Sequence, residues 1–181
     1  MKKLMLGAVT LGLLTGCTSS QYVAAPGVAT HEGMTIVQHE DGNYLGSVSF
    51  RRFYTDVSEV ALRQCLAVGV QATQAQDATM GNEQGGQPQN IRTSKNLDEN
   101  YVNGNVRTNQ GILRYRLELQ LIPDSNYYDF SRLGFLPEGT QGKVSSVRAW
   151  EGTNPMAVHS VLENITDTIQ HCLAQSVDGS K

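Results

Sequence analysis

Hydrophobic positions recur with two different periods along the chain, and the changes of period predict its elements. Residues 112–122 are the clearest case. Leu113, Tyr115, Leu117, Leu119 and Leu121 alternate with Arg114, Arg116, Glu118 and Gln120, the period-2 pattern of a strand with one apolar and one solvated face. Such a strand belongs in an antiparallel sheet covered on one side, and Pro123 ends it. Upstream, residues 35–38 and 44–54 read as two strands joined through Asp41-Gly42-Asn43, turn chemistry that favours a hairpin. In the second of them Tyr44, Gly46, Val48 and Phe50 share one face. Residues 143–150 predict another strand, and Asn103-Gly104 between Tyr101-Val102 and Val106 gives a weak hairpin signal.

Two stretches change to helical spacing. Asp56 can cap the first, with Glu59 three residues on as a capping-box partner. Glu59 and Arg63 mark its polar stripe; Val57, Val60, Ala61, Cys65 and Val68 lie opposite, Leu62 and Leu66 widen that face, and Gly69 suggests the end. The second starts at Asn154 as N-cap with Pro155 at the first helical position. Val158, Val161, Leu162, Ile165, Ile169, Cys172 and Leu173 then form one apolar stripe. Residues 71–110 are polar around GNEQGGQPQN and offer too little apolar surface to offset ordering entropy, which predicts a mobile loop over 79–99. Residues 123–139, PDSNYYDFSRLGFLPEG, read as an aromatic-rich connection. The order of elements predicts an α+β fold: an antiparallel sheet of four to five strands with two helices packed on one face, in a single domain over 34–177.

The amino terminus changes the picture. Lys2 and Lys3 precede an apolar run over 4–14, and Thr15 and Gly16 bring small residues up to Cys17, the plan of a secretory signal peptide. The alternative, a transmembrane helix, needs about 20 apolar residues, and this run is too short. Leu14-Thr15-Gly16-Cys17 resembles the lipobox of bacterial lipoproteins. The resemblance implies that residues 1–16 are removed, that Cys17 is acylated, and that residues 17–33 serve as anchor and flexible tether. Thr18 in place of Asp after the modified cysteine implies the outer membrane, with the periplasmic face as the expected location. The resemblance covers the anchor alone.

Removing 16 residues from 181 leaves 165, one ordinary domain. Loss of the two lysines takes the net charge from −3 to −5, and the arginines are scattered, so nucleic acid is not an expected partner. With Cys17 acylated, two thiols remain. Cys65 and Cys172 both project from apolar helix faces, and in an oxidising compartment an even pair reads as a disulfide; two free buried thiols are the alternative. The bridge would contribute about 4.7 kcal/mol for a loop near 100 residues in the chain-entropy account.

Reaction chemistry has little support. There is no GxSxG and no Cys/His arrangement for nucleophilic catalysis. His159 with Glu163, and Asp167 with His171, stand one helical turn apart, a spacing that can bind metal but that more often marks a solvated face. No cofactor, metal or enzyme activity is expected. Tyr127, Tyr128, Phe130 and Phe135 in the aromatic connection form one candidate partner-binding surface, with an edge-covering structural role as the alternative; residues 79–99 form another. The reading is a structural or accessory envelope lipoprotein that binds the bilayer through acylated Cys17 and also another envelope protein. A periplasmic carrier of an apolar small molecule or lipid is the alternative.

Overall fold

The alternating run becomes β5 (Gly111–Ile122). Leu113, Tyr115, Leu117 and Leu119 are buried while Arg114 and Gln120 are exposed, so the period-2 pattern defines an inner and an outer face. The computed structural model describes residues 23–53, 56–78, 91–92, 100–108, 110–138, 143–151 and 153–178, with backbone alone at 71–78, 91–92, 100 and 177–178. Strand β5 pairs with β4 (Asn100–Thr108) on one side and β6 (Ser125–Pro137) on the other. Strand β6 pairs in turn with β2 (Gly42–Phe53), and β2 with β1 (Met34–His39). The short β3 (Ile91–Arg92) pairs with β4, and β7 (Ser145–Ser146) pairs with β6 off the main path. The order is β1-β2-β6-β5-β4-β3, antiparallel throughout. Helices α1 (Glu59–Ala78) and α2 (Pro155–Asp178) pack on one face, which makes the protein an α+β fold.

The sheet exceeds the four to five strands expected, chiefly because the aromatic connection is itself a strand. β6 is central, paired on both sides, and its side chains Tyr128 and Phe130 are wholly buried. The sequence hid this because alternation breaks within it: the pairing with β5 shifts register between Arg114 and Arg116, opposite Arg132 at φ 51°. Leu133 is buried and Phe135 packs against the same core. A bulge of this kind reverses the inside-outside phase of everything after it. The Asn103-Gly104 hairpin is also corrected, since both lie in mid-β4, whose pairing with β5 runs to Thr108 opposite Gly111. Gly104 is there because Tyr115 from β5 lies over it; a Cβ would meet the ring's Cε2 at 2.7 Å. In β2, Met34 pairs with Val48 but Ile36 with Leu45. The extra residue puts Leu45, not Tyr44, on the inner face with Val48 and Phe50.

Helix α1 starts later and runs further than expected. Ser58, not Asp56, is its cap: its Oγ accepts from the Ala61 amide at 3.2 Å. The buried stripe is Leu62, Cys65, Leu66 and Val70, whereas Val60 and Val68 face solvent. Gly69 lies inside the helix because α2 crosses there; a Cβ would clash with Ile169. Helix α2 begins as expected, with Asn154 Oδ1 accepting from the Ala157 amide at 3.2 Å. Cys65 and Cys172 join the helices in a disulfide, with Cα atoms 5.4 Å apart, across 107 positions of sequence.

Residues 23–33 are not free tether. Val28 is wholly buried and Ala25 nearly so. Ala25 donates to the Ala149 carbonyl at 2.9 Å, Glu151 to Val23 at 3.0 Å, and Ser49 to Gly33 at 2.7 Å. Residues 23–33 therefore belong to the folded domain. The predicted strand over 143–150 is mostly a looser crossing: after β7 it leaves β6 and bridges Tyr44 and Ala24 through Arg148 and Trp150. The mobile loop expected over 79–99 lies outside the described residues except for β3, as does Cys17.

Candidate functional site

One face of the sheet carries the helices and the other carries polar and aromatic side chains in rows. Tyr101 on β4 stands opposite Glu118 on β5, Glu118 opposite Asp129 on β6, and Asp129 opposite Ser49 on β2. The neighbouring row runs through Gln120, Tyr127 and Arg51, the row on the other side through Asn103, Arg116 and Ser131. Strand alternation puts them on this face, and the pairing register lines them up into rows. Arg116 organises the centre. Its Nε lies 2.8 Å from Glu118 Oε1 and its guanidinium 4.0 Å over the Tyr101 ring, a cation–π geometry that fixes both groups. Burial, and then the Glu118 charge opposite, hold the Asp129 carboxyl above its ordinary range. The face thus presents the Tyr101 ring held by a guanidinium, the Tyr127 ring and two carboxylates.

Of the four aromatic residues singled out, only Tyr127 contributes to that face. Tyr128 and Phe130 point into the core, so they cannot anchor a partner, and Phe135 is packed against it. Their role is structural. Phe130 lies edge-on to Phe50 at 6.0 Å and to Tyr115 at 5.4 Å. The Tyr128 hydroxyl donates to Gln170 Oε1 at 2.8 Å, to which Asn126 Nδ2 also donates at 3.0 Å, while Gln170 Nε2 donates to the Phe53 carbonyl at 3.1 Å. One glutamine of α2 thus ties β6 and the end of β2. Burial raises the Tyr128 hydroxyl well above its ordinary value of 10.0.

The histidine and carboxylate pairs of α2 are likewise occupied. Arg52 reaches Asp167 Oδ1 at 2.8 Å through Nη2 and at 2.9 Å through Nε, and Glu163 Oε1 at 3.5 Å. His171 pairs with Gln175 at 2.8 Å. His159 is buried, not on the polar side, with its ring 4.3 Å from that of His31 and 5.0 Å from Phe50. Burial and then His31 hold its pKa below the ordinary 6.5. Among the described residues no group of three or more His, Cys, Asp or Glu side chains is placed to hold a metal ion. None of their helices is long and apolar enough to cross a membrane.

No family model matches the chain, and no curated protein does. Among solved structures, a TBP-like protein from Parabacteroides distasonis is similar at 12% identity and a TM-score of 0.41, over 68% of this chain and 92% of that one. A DUF4468 family protein from Bacteroides ovatus is similar at 7% identity and a TM-score of 0.38, over 78% of this chain and 89% of that one. Likeness at this level carries no argument about activity.

Proposed function

We propose that this chain is an envelope lipoprotein, held by an acylated Cys17, that acts as an accessory partner of another protein in the same membrane. The observation that carries the reading is the Cys65–Cys172 disulfide. Bonds of this kind persist in oxidising compartments and are rare in the cytosol, which supports export by a signal peptide and hence the lipobox reading of residues 14–17.

The contact surface is the open face of the sheet, with Tyr101, Arg116 and Tyr127 at its centre. Aromatic and arginine side chains held in place lose little entropy on binding and are the usual anchors of interfaces. The carrier reading needs an interior that opens between sheet and helices. The helices there bring Leu62, Leu66, Leu162, Ile165 and Ile169, all wholly buried, against Leu117, Leu119 and Phe130, buried to the same degree, which favours the accessory role. Confinement to one membrane raises the partner's effective concentration toward the millimolar range, so a modest interface is enough.

Photo-crosslinking in intact cells tests this. A crosslinker replacing exposed Gln120 or Arg114 on the open face should trap one discrete envelope protein, and one replacing exposed Gln64 on α1 should not. Equal yields from all three positions, or no adduct from any, would show that the open face is not the interface.

A further inference from the structure

We propose that a second surface, beside the amino-terminal segment, lays the domain against the phospholipid headgroups of the leaflet that holds its anchor; this rests on the lipoprotein reading. Four antiparallel segments build the surface. Trp150 pairs with Ala24, Arg148 with Tyr44, and Tyr44 with Val37. Directly opposed residues of paired strands share a face, as do Arg148 and Trp150, two apart, and Val37 and His39. Six side chains thus form one continuous patch off the end of the sheet, where the bulge in β2 has turned Tyr44 outward.

The patch is braced from within. Trp150 meets Tyr44 edge-on at 5.5 Å, His39 meets Tyr44 at 5.4 Å, and the Arg148 guanidinium lies 5.3 Å over the indole. The Tyr44 hydroxyl donates to Asp41 at 2.8 Å. Val37 is 43% exposed, and Arg148 and His39 are exposed. Tryptophan and tyrosine beside an arginine suit a boundary that is apolar on one side and phosphate-bearing on the other. Asp41, which accepts from the Tyr44 hydroxyl, adds a carboxylate to the patch that holds Arg148, so the patch suits zwitterionic headgroups rather than strongly anionic ones.

The length of chain before the fold selects this surface. Five residues, 18–22, separate Cys17 from Val23, and Val23 directly precedes Ala24 at the edge of the patch. Six steps of fully extended chain reach at most about 20 Å. A domain of this size is about 40 Å across. The tether therefore cannot turn the far side of the domain to the lipid, and the surface beside its exit meets the bilayer.

The chain holds a single tryptophan, and it is part of the patch. The test is the full-length protein, purified from membranes and reconstituted in vesicles of phosphatidylcholine and phosphatidylethanolamine, with and without lipid brominated near the glycerol end of its chains. Trp150 emission should be quenched about two-fold by the brominated lipid, as for an interfacial residue seated within about 5–10 Å of the acyl boundary. Val37→Asp, at an exposed position, should abolish that quenching while leaving circular dichroism unchanged. Mass analysis of the same sample reports acylation of Cys17. An acylated protein whose Trp150 is not quenched, or is quenched equally with Val37→Asp, overturns the orientation and leaves the anchor standing. An unacylated Cys17 overturns both readings.

Discussion

His159 shows how one buried ring becomes a property of the whole molecule. Its spacing from Glu163 gives no hint of burial, yet it packs between Phe50 of β2 and His31 of the amino-terminal segment. Burial, and after it the neighbouring His31, disfavour the imidazolium, with Arg52 a smaller contribution in the same direction; Glu163, 3.9 Å from Nδ1, only partly opposes them. The folded pKa is therefore below the unfolded one, so the unfolded state binds more protons as pH falls through 6.5, and stability falls with it. One group can contribute at most about 1.4 kcal/mol per pH unit. The urea midpoint should drop between pH 7.5 and pH 5.5 in the parent and drop less in His159→Gln. Equal losses in both would remove His159 from the account. Asp129 has the opposite sign: its raised pKa makes ionisation destabilising as pH rises above 3.8, a separate and lower window.

At the scale of elements, the helix pair depends on Gly69. Local propensity marks a glycine as a helix end, since it costs about 1 kcal/mol relative to alanine in a helix interior. In the fold it lets α1 approach α2 where Ile169 is wholly buried, and the disulfide one turn away holds that approach. Gly69→Val would gain a few tenths of a kcal/mol in propensity and lose about 2 kcal/mol through overpacking. The expected result is a Tm lower by roughly 4–8 °C at this size. A scanning-calorimetry Tm at or above that of the parent would mean that the helices separate without cost. Strand β6 makes the same point about legibility. Its stability comes from pairing with β2 and β5, far away in sequence, while its own residues combine proline, glycine and a broken alternation.

For the whole molecule, the amino-terminal segment is part of the fold. Val28 is wholly buried, and burial of a valine is worth about 1.5–3 kcal/mol. A chain beginning at residue 23 should melt with the chain beginning at 18. One beginning at residue 34 should lose roughly 2–3 kcal/mol, a fall of about 4–12 °C in Tm. Identical melting of all three would show that residues 23–33 add nothing. In the anchoring proposed above, the same docking would leave only residues 18–22 between Cys17 and the fold, which would limit the surfaces the domain can turn toward a membrane.

Local pattern was enough wherever an element's own side chains decide its state. The alternation of β5, the Asn154-Pro155 start and single stripe of α2, and two cysteines on apolar helix faces all required only the period of the element that bears them. The α+β class followed from their order. What only the tertiary structure decided depends on partners distant in the chain. The bulges that reverse the phase of β2 and β6, the burial of Tyr128 and Phe130, and the assembly of the open face from rows across four strands are set by register, and register is a relation between strands. The patch of Tyr44, Arg148 and Trp150 likewise exists only because four separate segments meet beside Ala24.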